Sequence, residues 1–303
     1  MTFIEPMRPR DWTEALRQAL ASVPEPQRSA RVEHCRQLLE RGVLDPRGVW
    51  VAHQSDEIIG VQVCVPLAGS ACLFWLPARS DSYTDALVQA GLNWCRSIGC
   101  RFAQALAPPE DLPLAEPLLR CGFRPISRMR QLAHNLENDA LNLGPKTSLG
   151  AAAASLRYES YCPVLRALFS ETLERTYEDT LDFPELNGKR TIDEILAGHQ
   201  GQGKFHPEFW WLAYEGAVPV GVAMLVEVPD STTWELAYLG IVPEHRGRRL
   251  GRAMAVHVLQ ALRGQPATRL LLAVDDRNVP ALRLYESLDF VELECNEVLL
   301  YFF

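Results

Sequence analysis

Residues Ile241–Arg252 read IVPEHRGRRLGR, between the apolar run WELAYLGI (Trp234–Ile241) and AMAVHVLQALR (Ala253–Arg263). The order is strand, short basic turn with glycines, helix. Such a turn aims several backbone N–H groups at one point beside a helix N-terminus, which suits a phosphate or pyrophosphate. Gly247 and Gly251 let the backbone bend tightly and approach a ligand. Arg246, Arg248, Arg249 and Arg252 add local positive charge. The stretch has neither the GKS/GKT of a Walker A loop nor the form of a dinucleotide fingerprint. The plainer reading is a surface turn with solvated arginines.

Period two along Trp234–Val242 puts Glu235, Ala237, Leu239 and Ile241 on one face and Leu236, Tyr238, Gly240 and Val242 on the other. A buried Glu235 would have its pKa raised toward that of a general base; at a solvated strand end it would be an ordinary carboxylate. The local pattern fits both. Downstream, LLLAVDDRNVPALRLYESLDF (Leu270–Phe290) gives a buried strand, a turn at Asp275–Arg277 and a helix that Asn278 can cap. Tyr285 lies two turns beyond Asn278 on the same helix face, where its hydroxyl can donate a proton to a departing anion.

Moving outward, the two halves of the chain echo each other. WVAHQSDEIIG (Trp50–Gly60) and WLAYEGAVPVG (Trp211–Gly221) share Trp, Ala and a hairpin-exit Gly. LLRCGF (Leu118–Phe123) and LYESLDF (Leu284–Phe290) both end a helix on an aromatic that opens a strand. Two matches in the same order predict two copies of one domain, 1–142 and 143–303, joined by the polar stretch Asn138–Gly150. The first copy has FWLPARSDSYTDALVQAG (Phe74–Gly91) where the second has its basic turn: one arginine and no glycine in the bend. It reads as a structural partner, or as a contributor to the acceptor pocket.

A net charge of −8 argues against general nucleic-acid binding. The eight cysteines are scattered without CxxC or a His/Cys cluster, and most read as small core side chains; no metal is expected. No apolar run reaches transmembrane length and the first residues do not form a signal peptide, so a cytoplasmic protein without a membrane partner is expected. Tyr177, Glu178, Asp179 and Asp182 form an acidic patch that either attracts a cationic amine or faces solvent. His206 reads as a loop or capping residue.

IVPEHRGRRLGRAM (Ile241–Met254) resembles the acetyl-coenzyme A motif of the GNAT superfamily of N-acetyltransferases, and NVPALRLYESLDF (Asn278–Phe290) resembles the family's later Asn…Ala…Leu-Tyr…Phe motif. LDFPELNGKRT (Leu181–Thr191) more weakly resembles tandem enzymes of the mycothiol synthase type. The resemblance implies an α/β (α+β) fold of two tandem GNAT-like domains, each a mixed, mostly antiparallel sheet flanked by helices, with the first degenerate. It implies acetyl-CoA as cofactor and an amine acceptor, small molecule or peptide. The pantetheine arm would lie along the backbone of Leu239, Gly240, Ile241 and Val242. The amides of Gly247, Arg248, Arg249, Leu250, Gly251 and Arg252 would cradle the pyrophosphate, with Arg246 near the phosphates and Asn278 contacting the pantetheine or its helix. Glu235 matches the position of a general base and Tyr285 that of the general acid. Arg249 stands where the motif most often has glycine, and Asp289 replaces a glycine before Phe290. The non-enzymatic alternative is an acyl-CoA sensor or scaffold. A monomer with pseudo-dimeric tandem domains and a homodimer both fit.

Overall fold

A computed structural model describes residues 2–137, 156–229 and 231–303. The expected linker, with its boundary at 142/143, lies outside the described residues. The described chain repeats one order of elements. The first run is β1 (Thr2–Pro6), α1 (Trp12–Ala19), α2 (Gln27–Glu40), β2 (Val49–Gln54), β3 (Glu57–Leu67), β4 (Ala71–Phe74), α3 (Thr84–Ser97), β5 (Phe102–Ala107), α4 (Glu116–Arg120) and β6 (Arg124–Asn135). The second is β7 (Leu156–Ser160), α5 (Arg166–Tyr177), α6 (Ile192–Gln200), β8 (Lys204–Glu215), β9 (Val218–Glu227), β10 (Thr233–Ile241), α7 (Leu250–Leu262), β11 (Arg269–Asp275), α8 (Val279–Glu286) and β12 (Val291–Phe302). Mixed sheets, mostly antiparallel and flanked by helices, are the expected fold class.

The compact units differ from the two halves of the sequence. One comprises Met1–Ile126 with Asn296–Phe303, the other Ser127–Cys295. In the first unit the strand order runs β1-β2-β3-β4-β5-β12, and Glu297–Phe302 of β12 pair antiparallel with β5. In the second it runs β6-β11-β10-β9-β8-β7, and Met129–Asn135 of β6 pair antiparallel with β11. Each half thus lends its last strand to the other half's unit. An antiparallel pairing asks only for matching edges, not for sequence proximity.

The second unit has a core on each face of its sheet. Along β8, Trp210, Leu212 and Tyr214 join Phe169 and Leu173 of α5 and Leu196 of α6, while Trp211 and Ala213 join the core formed with α7. This is period-two alternation in a strand buried on both sides. Trp210 stacks on Phe169 at 5.8 Å. Helix α6 starts with a capping box: Thr191 Oγ1 accepts from the Glu194 N–H at 3.2 Å and Glu194 accepts from the Thr191 N–H at 2.8 Å. In the first unit, α1 and α2 cover one core and α3 another. That second core includes Cys64, Cys72, Cys95 and Cys100, all free thiols, in keeping with their reading as small core residues.

Candidate active site

Strand β10 pairs with β9 from Trp234 to Ile241 but with β11 only from Thr233 to Glu235. Beyond Glu235 the two neighbouring parallel strands diverge, leaving the β11-facing backbone edge of β10 without a strand partner. The β9 register breaks between Leu236 and Tyr238. This bulge overturns the strict alternation expected for the strand, since one extra residue reverses the facing of everything after it. Glu235, Ala237 and Tyr238 line one cavity. Leu239 and Ile241, expected beside Glu235, pack instead into the α7 core.

After β10 the chain makes a 3-10 turn at Pro243–His245 and bends through Gly247 (φ 73°) and Arg249 (φ 62°, ψ 13°) into α7. Arg249 therefore holds the left-handed conformation that favours glycine, at a cost of about 1–2 kcal/mol. Arg249 offers α7 no side-chain cap. Among the described residues, none of the backbone N–H groups from Gly247 to Arg252 donates to a protein acceptor; the first helical bond runs from the Ala253 N–H to the Arg249 carbonyl at 3.2 Å. Six consecutive free amides at a helix N-terminus fit an anionic group. Gly251 keeps this end of α7 close-packed, since a Cβ there would lie 3.3 Å from Leu284 Cδ1.

The arginines of the turn are placed differently from expectation. Arg246 was expected near the phosphates, yet its guanidinium donates to the carbonyls of Ile241 (3.0 Å), Asp179 (3.1 Å), Thr176 (3.0 Å) and Glu178 (2.6 Å). Its own N–H goes to the Pro243 carbonyl at 3.1 Å. With four of the five guanidinium N–H groups and the backbone N–H on protein carbonyls, Arg246 chiefly braces protein backbone. Arg248 forks onto the Glu215 carboxylate at 2.9 and 2.6 Å. Arg252 reaches Ser287, donating to its carbonyl at 3.2 Å and to its hydroxyl. Arg249 is exposed and, among the described residues, makes no side-chain hydrogen bond or ion pair. Val242 is fully buried and its N–H donates to the Val220 carbonyl at 3.0 Å, so that amide is not available to a cofactor arm either.

The cavity behind Glu235 has a volume of about 470 Å³, within the size range of small-molecule sites. Its walls come from β10, from α5 and α6, and from the loop 178–190 between those helices. Glu235 is half-buried against the cavity, and that partial burial raises its pKa, so it is neither fully buried nor the ordinary solvated carboxylate of a strand end. Tyr238 hydrogen-bonds Thr176 Oγ1 at 2.7 Å, and Tyr177 hydrogen-bonds His199 Nε2 at 3.0 Å. Burial, reinforced by the nearby Arg190 charge, lowers the His199 pKa to about 4. Asp182 also faces the cavity, and burial raises its pKa. Three members of the acidic patch, Tyr177, Glu178 and Asp182, therefore line a cavity rather than plain solvent.

Tyr285 is 7% exposed on α8 and packs on Phe290 at 5.4 Å. Burial raises its pKa, and the charge of Asp182 and the neighbouring Tyr238 raise it further, so the hydroxyl keeps its proton at neutral pH. Asn278 caps α8 by accepting from the Ala281 N–H at 3.3 Å. His206 lies in β8 and meets Glu227 Oε2 at 2.7 Å. Tyr238, Arg190 and His199 line the same cavity and were not singled out from sequence; they come from elements far apart in the chain, and no local spacing marks them. No group of three or more His, Cys, Asp or Glu among the described residues could hold a metal ion, and among them no helix is long and apolar enough to cross a membrane.

Residues 169–290 match the model of the acetyltransferase (GNAT) family, so the second unit carries a GNAT domain. A mycothiol acetyltransferase from Beutenbergia cavernae is 34% identical over 34% of this chain and 35% of its own length. One from Thermobispora bispora is 36% identical over 36% and 38%, and one from Frankia alni 31% identical over 66% and 63%. The chain thus spans little more than a third of the length of the first two relatives. Among solved structures, a GCN5-related N-acetyltransferase from Sphaerobacter thermophilus matches with a TM-score of 0.63 at 18% identity, covering 99% of this chain and 95% of its own. A tandem GNAT protein from the clavulanic acid biosynthesis pathway matches with a TM-score of 0.58 at 14% identity, covering 100% and 98%. These two likenesses extend the tandem GNAT fold over the whole chain.

Proposed function

We propose that the second unit transfers an acetyl group from acetyl-CoA to an amine by direct attack within a ternary complex. The observation that carries this reading is the pairing of six free amides, Gly247–Arg252, with the unpaired edge of β10. The amides receive the pyrophosphate, and the free edge at Leu239, Gly240 and Ile241 receives the amide groups of the pantetheine arm. The turn's positive charge is supplied mainly by the helix end and Arg249; Arg248 and Arg252 contribute their amides while their side chains hold Glu215 and Ser287.

Glu235 acts as general base. Its raised pKa makes it a stronger base toward the ammonium form of the acceptor, from which it takes a proton through a water. The neutral amine attacks the thioester carbonyl, and a backbone N–H near Leu239 or Gly240 stabilises the developing oxyanion. Tyr285 gives its proton to the departing thiolate. Its burial keeps it protonated until that step. Much of the rate gain comes from holding the two reactants together. The carboxylates of Glu174, Glu178, Asp182 and Glu235 make the cavity suit a cationic amine, and the relatives' name makes the acceptor acetylated in mycothiol formation the first candidate.

The test is acetyl-CoA-dependent thiol release with a panel of amines, followed from acid to alkaline pH. The expected rate climbs with pH as Glu235 loses its proton, with a midpoint above the ordinary Glu range. Glu235→Gln should flatten that limb and lower the rate about 100-fold. Tight CoA binding with no amine acetylated would favour the sensor reading.

A further inference from the structure

Helix α5 ends at Tyr177, leaving its last carbonyls without intrahelical donors. That of Thr176, together with the carbonyls of Glu178 and Asp179 in the turn that follows, is collected by one guanidinium, that of Arg246, which also holds the Ile241 carbonyl. Arg246 directly precedes the free-amide turn. The segment it grips, Glu178–Leu186, supplies Asp182, Phe183 and Leu186 to the cavity wall. Two residues of that segment, Asp179 (φ 50°) and Phe183 (φ 45°), sit in the left-handed region despite bearing side chains, so outside contacts must hold them there.

The far end of the segment is fastened as well. The Asp275 N–H donates to Asp182 Oδ1 at 2.8 Å, and the Phe183 N–H donates to Asp275 Oδ2 at 3.1 Å. Asp275 is fully buried and also accepts from Ser127 and Arg277, while Arg277 forks onto Glu185 at 2.7 and 2.9 Å. The wall is thus tied at one end to the amide turn and at the other to the start of α8.

We infer that Arg246 is a positioning residue that couples the cofactor turn to the cavity wall, so that CoA bound at Gly247–Arg252 stiffens Glu178–Leu186. An anion drawing those amides inward fixes the backbone at Arg246, hence its guanidinium, hence the carbonyls it holds. Linkage makes the effect mutual: an acceptor that orders the wall tightens CoA by the same factor. The inference rests on the proposed CoA site, and its test separates the two.

Hydrogen exchange of the whole protein, with and without saturating CoA, reads both segments at once. The expected result is slowing at 247–252 together with at least 5-fold slowing at 178–186. In Arg246→Ala, at CoA concentrations that saturate the variant, slowing at 247–252 should persist while that at 178–186 falls below 2-fold. Arg277→Ala, which loosens only the far end, should speed basal exchange near Phe183 yet keep the CoA response at 178–182. Slowing confined to 247–252 in the unaltered protein would overturn the coupling, and needs no variant to fold. A CoA response at 178–186 that survives Arg246→Ala would overturn the role of Arg246. Absence of CoA protection anywhere would overturn the CoA site and the coupling with it.

Discussion

The first turns of α3 and α7 occupy the same place in two repeats of one fold, and they have opposite fates. In the first unit the turn is filled by its own side chains. The Tyr83 hydroxyl donates to the Ile59 carbonyl and meets Asp81 Oδ2 at 2.7 Å, and its ring stands where a Cβ on Gly60 would go. The Asp81 N–H donates to Thr84 Oγ1 at 3.0 Å. What remains is a space of about 10 Å³, room for one water at most. The second residue of α3 is Asp85, a carboxylate at the helix end where an anion would sit, paired with Arg120. The second residue of α7 is Gly251, and its turn keeps six amides open. A duplicated fold can thus keep its core in both copies while a few side chains decide which copy has room and charge for a ligand.

The largest effect should come from Tyr285. Tyr285→Phe removes the proposed acid and should lower amine-dependent turnover about 1,000-fold, with CoA affinity within 2-fold. Unchanged turnover across pH would remove Tyr285 from the mechanism and narrow the contrast between the units to binding alone.

A second prediction concerns His199, which is neutral and buried beside the cavity. Its folded pKa of about 4 lies below its unfolded value of 6.5, so on acidification the unfolded chain takes the proton first. The stability His199 contributes is therefore present above pH 6.5 and lost as pH falls to about 4, roughly 3 kcal/mol over that window. Urea unfolding from pH 7.5 to 4.5 should show this loss, and His199→Gln should remove most of it. If the variant lost stability with acid as steeply as the parent, the buried-histidine account of the cavity would fail.

Gly251→Asp converts the second unit's turn toward the first unit's. An acidic residue in a first turn favours the helix, and the nearest obstacle is the tip of Leu284, so the fold should survive. CoA affinity should fall 30- to 100-fold by titration, about 2–3 kcal/mol. An unaltered affinity would mean that the amides are not where the anion binds. The smallest change expected is at Arg249. Arg249→Gly relieves the left-handed strain and should stabilise the protein by about 0.5–1 kcal/mol in urea, part of the gain being offset by the freer unfolded chain.

Local chemistry was legible in the sequence where it was written contiguously. The turn after Ile241, the capping Asn278, the Tyr285 helix and the repeated hairpins all appear in their expected elements. The edge strands β1 and β7 were not foreseen, because TFIEP and LRYES are only five residues each, too short for their pattern to mark a strand. The bulge near Ala237 left no mark in composition, yet it decides which residues share a face with Glu235. The exchange of β6 and β12 depends on pairing between strands far apart in the chain. Arg246 looked like a phosphate ligand because its partners, three carbonyls of α5 and its following turn, are about seventy residues away. Side-chain identity is local information, whereas the acceptor it meets is not.

The central claim is that nucleotide-thiol binding belongs to the second unit alone. Calorimetric titration of the full chain with CoA, repeated on Gly251→Asp, tests it most directly. The account predicts one CoA per chain, with that single event weakened at least 30-fold in the variant. Two CoA per chain, or one whose affinity ignores Gly251→Asp, would contradict it.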